Sequence, residues 1–446
     1  MADPTTMSGW AESPERRGWA PVGLIAVSMV AFIAIKTGRD ALYFRVGESR
    51  LEELALAFAY IGMASVPAAM LHLAAMDRFG VRRARVGVFV LAAVALAGLA
   101  PWLGAASAAL LNAFFVAVPV IFAAVFASAW LLAGDLLEGA GAEAKARVYT
   151  RVGAASTLGG VAGGALAWVL AEVVPASGLV AVGALLLLPC AAGAALVHRR
   201  YPAEHIDAAG GEDEPPGAGR VRTLLRQPLV LTLIGISSAA AITGLLIEFQ
   251  FYAAATRSGF ASPEFFALFY LALSAGSFVV QLAVAPRIQK VVGVLGALMV
   301  LPVALIGVGS FVFLQATAMS RTALRVTEGG VKSSIHRAAW EQAYLAVSPR
   351  RRPRVKTLVD GASARMAEGT AALALFLWVR AVGPEGISLT LLSVAIASGL
   401  ALWVGSTWWL RRVAPGTTRA PSSPEVAVRL DDACAVTSSL GPSKSR

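Results

Sequence analysis

Five residues between positions 321 and 336 carry the densest chemistry in the sequence: Arg321, Arg325, Glu328, Lys332 and His336. Their spacings of 4, 3, 4 and 4 project them into one narrow arc of a helix with about 3.6 residues per turn. A mainly cationic face among apolar neighbours suits an anionic ligand, a phosphate or a carboxylate, which arginine grips with two parallel N–H bonds. The plainer reading is a fixed network in which Glu328 neutralises Arg325 and Lys332. An ionisable side chain in a bilayer costs about 3 kcal/mol or more unless it faces protein or water, which weighs toward a lined pathway. Arg337 and Glu341 fall on a different face and would tie this helix to a neighbour.

Further along, Lys356, Asp360 and Ser363 share one helix face, while Arg365 and Glu368 share another. The run from Arg350 to Arg354 reads as a topology anchor at the membrane surface. In the first apolar segment, IKTGRDALYFRVG sets Lys36, Arg39 and Asp40 toward the middle or far end of the span. Lys36 and Asp40 stand i,i+4 and can pair. Glu248 and Gln250 lie well inside the seventh segment. Lys36 facing Glu248 would give charges that pair in an empty site and separate for a ligand.

The elements that must position these groups are membrane helices. The chain has 446 residues, 57% of them hydrophobic and 15% charged, with a mean hydropathy of +0.69; a soluble domain has about a quarter charged. Apolar runs of about 20 residues recur along the chain, the length that spans a bilayer. The net charge of +11 reads as basic cytoplasmic loops rather than a nucleic-acid surface. Cys190 and Cys434 make no disulfide framework, and His72, His198, His205 and His336 show no zinc spacing. No cofactor or metal is expected. No nucleophile stands beside a base, no carboxylates are paired for acid–base work, and no GxxxxGK[ST] loop occurs, so an enzyme is not expected.

The predicted helices are Trp19–Phe44, Leu54–Met76, Val86–Leu103, Ser107–Gly134, a fifth around Gly153–Ala167, Leu179–Val197, Leu229–Ala255, Glu264–Ala285 and Val291–Phe313. Two more run from Arg321 to about Val382, and the last is Ser388–Leu410. Residues 1–18 form a polar tail, 19–198 a six-helix bundle, 199–226 a linker, 227–412 a second bundle and 413–446 a disordered tail. The first segment is expected to remain as a helix rather than be cleaved. All Lys/Arg-rich loops fall on one side, which places both termini in the cytoplasm of a bacterial inner-membrane protein, expected as a monomer. Gly159/Gly163 and Gly160/Gly164 repeat at the small-residue spacing of close helix packing.

An internal repeat supports two halves. RVYTRVGAAS from Arg147 aligns with RVKTLVDGAS from Arg354; at a slightly larger offset Lys36 meets Glu248, Arg45 meets Arg257, Gly47 meets Gly259 and Gly80 meets Gly293. Parallel six-helix repeats with a site between them describe the major facilitator architecture. The DRFGVRR turn resembles the loop 2–3 signature of that class. The expected fold is therefore all-α, with twelve transmembrane helices in two pseudo-symmetric six-helix bundles.

KTGRDALYF, IEFQFYAAA, AKARVYTRVGAASTLGGVAGG and, most specifically, LRVTEGGVKSSIHRAAWEQAYLAVSPRRRPRVKTLVDG resemble the ATP:ADP antiporter family, the nucleotide transporters of plastids and intracellular bacteria. The resemblance implies a twelve-helix major-facilitator-like fold and exchange of nucleotides, with Lys36, Glu248 and Lys356 as substrate or coupling residues. The fourth segment, uncharged from Ser107 to Gly134, departs from the acidic residue of that pattern and leaves room for another anion. The expected binding set combines Lys36, Arg39, Asp40, Glu248, Gln250 and Lys356 with Asp360 and the helix-10 arc. The expected function is secondary transport of an organic anion, a nucleotide first, across the lipid bilayer. The alternatives are a transporter of another anionic metabolite or lipid head group, and a non-transporting sensor or partner subunit.

Overall fold

The computed structural model describes residues 14–45, 50–137, 142–201, 224–344, 347, 355–383 and 385–413. The Arg350–Arg354 run, most of the linker and the tail beyond Val413 lie outside them. The described residues form twelve helical rods and no strand, after one helical turn at Pro14–Arg17. The first half holds α1 (Trp19–Phe44), α2 (Arg50–Phe79), α3 (Val81–Leu103), α4 (Ala108–Leu136), α5 (Ala142–Ala171) and α6 (Ala176–Arg200). The second holds α7 (Pro228–Arg257), α8 (Pro263–Val284) and α9 (Ala285–Leu314), then α10 (Ala318–Ala343), α11 (Thr357–Val382) and α12 (Leu389–Val413). Ten rods are long and apolar enough to cross a membrane; α10 and α11 are the two that are not. The twelve expected spans thus resolve into ten apolar rods and two charged ones.

Local chemistry sets the boundaries. Ser107 caps α4 by accepting from the Leu110 N–H at 3.3 Å, and Thr317 caps α10 by accepting from the Ser320 N–H at 3.1 Å. These side chains satisfy amides that a helix start leaves unpaired. The basic segment after α2 is not a loop: Arg82, Arg83 and Arg85 lie inside α3, and only Gly80 breaks the helix. Gly80 has φ 80° and its repeat partner Gly293 has φ 67°, a region where any Cβ is strained. The structural turn therefore recurs where the sequence repeat places it.

In the first half α1 packs against α4, α5 and α6; in the second α7 packs against α10, α11 and α12. Between halves α2 meets α11 and α5 meets α8. These two pairs exchange when the halves are interchanged, as a pseudo-two-fold axis requires. One core fills the first half and continues into α7, α8 and α11; the other stays within the second half.

The first core crosses between the halves toward the end of the bundle where α1 and α7 finish, called here the distal end. There the loops interlock. Arg45 donates to the Gly104 carbonyl at 2.6 Å, Arg257 donates to the Ile387 carbonyl at 2.9 Å, and Arg380 pairs with Glu52 across the halves at 3.2 Å. The outer surface exposes large apolar side chains such as Met63, Leu71, Leu91 and Leu402, which suits lipid contact.

The α5 glycines work on two faces. Gly159 and Gly163 lie against Ala26 and Val30 of α1, while Gly160 and Gly164 lie against Ser274 and Leu271 of α8. A Cβ on Gly164 would stand 2.6 Å from the Leu271 Cα, and backbone cannot yield as a side-chain tip can. Gly164→Val should therefore force α5 from α8 and cost about 1–3 kcal/mol of overpacking. Gly98, with nothing within 4 Å of its added Cβ, is the control. Thermal unfolding in detergent should show a lowered midpoint for Gly164→Val and an unchanged one for Gly98→Ala.

Candidate functional site

Charged side chains from α1, α7 and α10 meet in the bundle interior and alternate in sign. The Lys36 ammonium stands 3.9 Å from one Glu248 oxygen, and the Arg325 guanidinium stands 3.0 Å from the other. Arg325 also binds Glu328, and Lys332 closes the row by donating to Glu328 at 2.8 Å. Glu328 is 2% exposed and Glu248 24%. Each carboxylate has two cations, which offsets the desolvation of a buried charge. Helix spacing accounts for the Arg325–Glu328–Lys332 row, but Glu248 joins it from α7.

Lys36 and Asp40 do not form the expected i,i+4 pair. Asp40 is fully buried and accepts from its neighbour Arg39 at 2.7 Å, from the Tyr252 hydroxyl at 2.9 Å and from the Tyr270 hydroxyl. The Arg39 guanidinium lies 4.0 Å from the centre of the Phe115 ring, a cation–π contact made stronger by burial. Tyr252 stacks on Phe44 at 4.7 Å. Asp40 therefore clasps α1 to α7 and α8 beneath the distal aromatic packing. Three donors crowd Asp40, while Lys36, one turn earlier, turns toward Glu248. Arg39 and Asp40 thus belong to the clasp and line neither of the two interior cavities.

Two other expected residues are placed elsewhere. Arg321 donates to the Ala316 and Thr317 carbonyls at 2.7 and 3.2 Å, so it ties down the turn before its own helix. Gln250 donates to the Leu389 carbonyl at 2.9 Å and the Ser393 hydroxyl at 2.7 Å, joining α7 to α12. Each donates to acceptors that lie away from the charged row.

A cavity of about 900 Å³ lies between the halves, walled by α1, α4, α5, α8 and α10 and by the start of α11. Its cations are Lys36, Arg325, Arg337 and Lys356; Glu341 is its one carboxylate. Lys356 donates to Glu341 at 2.6 and 2.8 Å and Arg337 pairs with Glu341 at 2.9 Å. These three side chains are 40–60% exposed and mark the mouth at the proximal end, opposite the clasp. Trp130 and Tyr149 stack on each other at 6.1 Å in the cavity wall. A second cavity of about 300 Å³ lies within the second half and is lined by Glu248, Arg325, Glu328, Lys332, His336 and Asp360, among others.

Two π-helical turns explain why periodicity misplaced some groups. One spans Lys332–His336 in α10 and the other Thr357–Ser363 in α11. A π turn adds a residue and rotates every side chain after it about the helix axis. Arg337 and Glu341 thereby line the large cavity, which the spacing did not indicate. Lys356 and Asp360 separate: Lys356 lines the large cavity and Asp360 the small one. The aromatic partners Tyr252, Tyr270, Trp130 and Tyr149 were invisible as site residues, because in an apolar segment they read as core. Among the described residues no three His, Cys, Asp or Glu side chains converge as metal ligands.

No family model matches the chain, and no curated protein matches it. Solved structures do match in fold. The POT family transporter PepTSo superposes with a TM-score of 0.63 at 10% identity, covering 91% of this chain and 99% of its own. A D-xylose–proton symporter gives 0.58 at 14% identity, covering 92% and 99%. The D323A mutant of the nucleoside transporter NupG gives 0.59 at 12% identity, covering 90% and 100%. The chain has an all-helical, multi-pass fold of major facilitator type. The ATP:ADP antiporter family finds no support among these comparisons.

The clasp makes the sharpest demand on stability. Asp40→Asn leaves Arg39, 4% exposed, without its counter-charge, and breaking a buried pair costs about 3–5 kcal/mol. The detergent-solubilised variant should unfold at a clearly lower temperature, whereas Gln250→Ala should lose less. Equal midpoints for Asp40→Asn and the parent protein would show that the clasp does not hold the distal end.

Proposed function

We propose that the chain is a secondary transporter that moves an organic anion by alternating access. The observation that carries this reading is the cavity of about 900 Å³ between the halves, with four cations and one carboxylate in its wall. Its size lies within the range of about 300–1,000 Å³ typical of small-molecule sites.

Lys36, Arg325, Arg337 and Lys356 form the anion-binding wall, and Glu248, Glu328 and Glu341 are their internal counter-ions. Lys36 is the poised member. At 3.9 Å it is too far from Glu248 for a hydrogen bond and keeps its donors for a ligand. An entering anion takes Lys36, and then Arg325, from Glu248. Glu248 loses its partners, and the halves re-pack around the new charge. Reversal requires the Asp40–Tyr252 and Asp40–Tyr270 bonds and the Glu52–Arg380 pair to part, since each joins the two halves. The proximal mouth faces the cytoplasm by the distribution of basic loops, and one chain contains the whole site.

A nucleotide is the leading substrate. The stacked Trp130–Tyr149 pair offers an aromatic surface in the same wall that carries the cations, a pairing that suits a base and its phosphates. The sequence resemblance supports the same choice. The lack of charge along α4 as far as Gly134 supports the second reading, a different anionic metabolite or lipid head group.

Counterflow in liposomes with labelled ATP, ADP and a panel of other anions tests the proposal. Nucleotide exchange is expected. Uptake of another anion with no nucleotide exchange would remove the nucleotide, and no uptake of any anion would remove transport. Lys36→Glu and Glu248→Lys alone should each lower exchange at least about tenfold, equivalent to about 1.4 kcal/mol. The double exchange should recover part of that loss; no recovery would argue against the Lys36–Glu248 contact.

A further inference from the structure

The seam between α2 and α11, one of the two helix pairs that join the halves, opens into a groove of about 650 Å³ on the outer surface. Its walls are apolar: Leu56, Tyr60, Met63 and Val66 of α2 face Met366 and Leu373 of α11. Arg365 is the one charged side chain in the groove. Tyr60, Met63, Met366 and Leu373 are exposed, so within a membrane the groove faces hydrocarbon.

We infer that this groove binds an anionic phospholipid of the leaflet at the cavity mouth, with one acyl chain along the seam and the phosphate on Arg365. The groove runs from Leu56 to Val66 on α2 and from Ala362 to Leu373 on α11, about 15 Å at 1.5 Å per residue. That is half of the roughly 30 Å hydrocarbon core, the length of one leaflet. Depth decides which leaflet. Gly369 stands midway along α11, where it meets Gly62 of α2; a Cβ on Gly62 would lie 3.7 Å from the Gly369 Cα. Arg365, one turn earlier, has its Cα about 6 Å from mid-depth on the proximal side. Helical side chains lean toward the helix N-terminus, which in α11 is proximal, so the stem carries the guanidinium on toward head-group level. The other end of the groove, at Leu56 and Leu373, stops just beyond mid-depth.

The charge fits a phosphate. Arg365 is 48% exposed and donates from Nη1 to Glu368 at 2.7 Å. Among the described residues nothing accepts from its Nε–Nη2 edge, which can grip two oxygens of one phosphate in parallel. A phosphate there leaves the Glu368 bond in place. A half-exposed cation beside hydrocarbon is costly, and an anionic head group removes that cost. A choline head group would bring its own cation beside Arg365, so the site favours a net-negative lipid. The groove of about 540 Å³ between α7 and α12, walled by Leu231, Gly235, Leu402 and Gly405 among others, has no charged side chain. It can seat a chain but cannot select a head group, and it is the internal control. Arg365 and Glu368 also line the small charged cavity, so the bound phosphate stands at the outer wall of that cavity, on a seam between the halves.

This inference goes beyond the transport reading, and its test needs no transport. The purified full-length protein is mixed in detergent with phosphatidylglycerol or phosphatidylcholine, and native mass spectrometry counts the lipids it retains. The parent should hold one phosphatidylglycerol with a preference of at least about tenfold over phosphatidylcholine, the scale of a bidentate charge-assisted contact. Arg365→Gln should bring the preference near one, and Arg365→Lys should keep part of it. Gly369→Trp fills open space in the groove and should abolish retention, whereas Gly405→Trp in the control groove should not. Size-exclusion elution matching the parent certifies that each variant is folded. Phosphatidylglycerol held equally by the parent and folded Gly369→Trp would overturn the site, and a preference that survives Arg365→Gln would overturn the phosphate contact. A second measurement needs no variant: phosphatidylglycerol with a photoreactive acyl chain should label peptides of α2 and α11 that line the groove. Labelling confined to other helices would overturn the proposal.

Discussion

A buried charge must be matched, and that constraint organises the interior of this bundle. Lys36, Glu248, Arg325, Glu328 and Lys332 alternate in sign across three helices from both halves, three cations against two carboxylates. No member can leave its partners without exposing an unpaired charge to a medium that solvates it poorly. The row is therefore stable as a unit and can rearrange only when another charge substitutes for one of its own. Because cations are in excess, the proposed ligand is an anion. The clasp at Asp40 applies the same rule to the distal end, where one carboxylate gathers a guanidinium and two hydroxyls from three helices.

The constraint also explains which parts of the structure could be read in the sequence. Lipid-facing helices must carry a long apolar stretch, so ten of them announce themselves by hydropathy alone. The two charged rods were legible for the opposite reason: ions at that density have no place in lipid. Periodicity could not supply partner choice. Arg321 had backbone carbonyls within reach and took them; Gln250 did the same on α12. Lys36 and Asp40 shared a helix face, but the hydroxyls of Tyr252 and Tyr270, more than two hundred residues away, decided which of the two turned inward. The π turns in α10 and α11 shifted the phase under Arg337, Glu341 and Asp360. A π turn leaves no pattern in composition, so a strict 3.6-residue period misassigns the side chains beyond it.

The repeat adds a geometric reason for the contents of the centre. Lys36 and Glu248 occupy equivalent positions in the two halves, and they touch. Asp40 and Tyr252, separated by the same 212 residues, also touch. Residues beside a pseudo-two-fold axis meet their own equivalents, whereas residues away from it meet something else. An exact duplicate would have set lysine against lysine at the first position and aspartate against aspartate at the second, each a like-charge repulsion in a medium of low dielectric. The two halves could keep their common turns, as Gly80 and Gly293 show. They could not keep identical axial residues and still close. Divergence at these positions to Lys with Glu and to Asp with Tyr converts repulsion into contact. It also makes the contact asymmetric, so that one half contributes the cation and the other the carboxylate. On the proposed function, an anion entering along the axis would meet Lys36 on one side and displace Glu248 on the other, so the asymmetry would let a symmetric scaffold respond to a ligand.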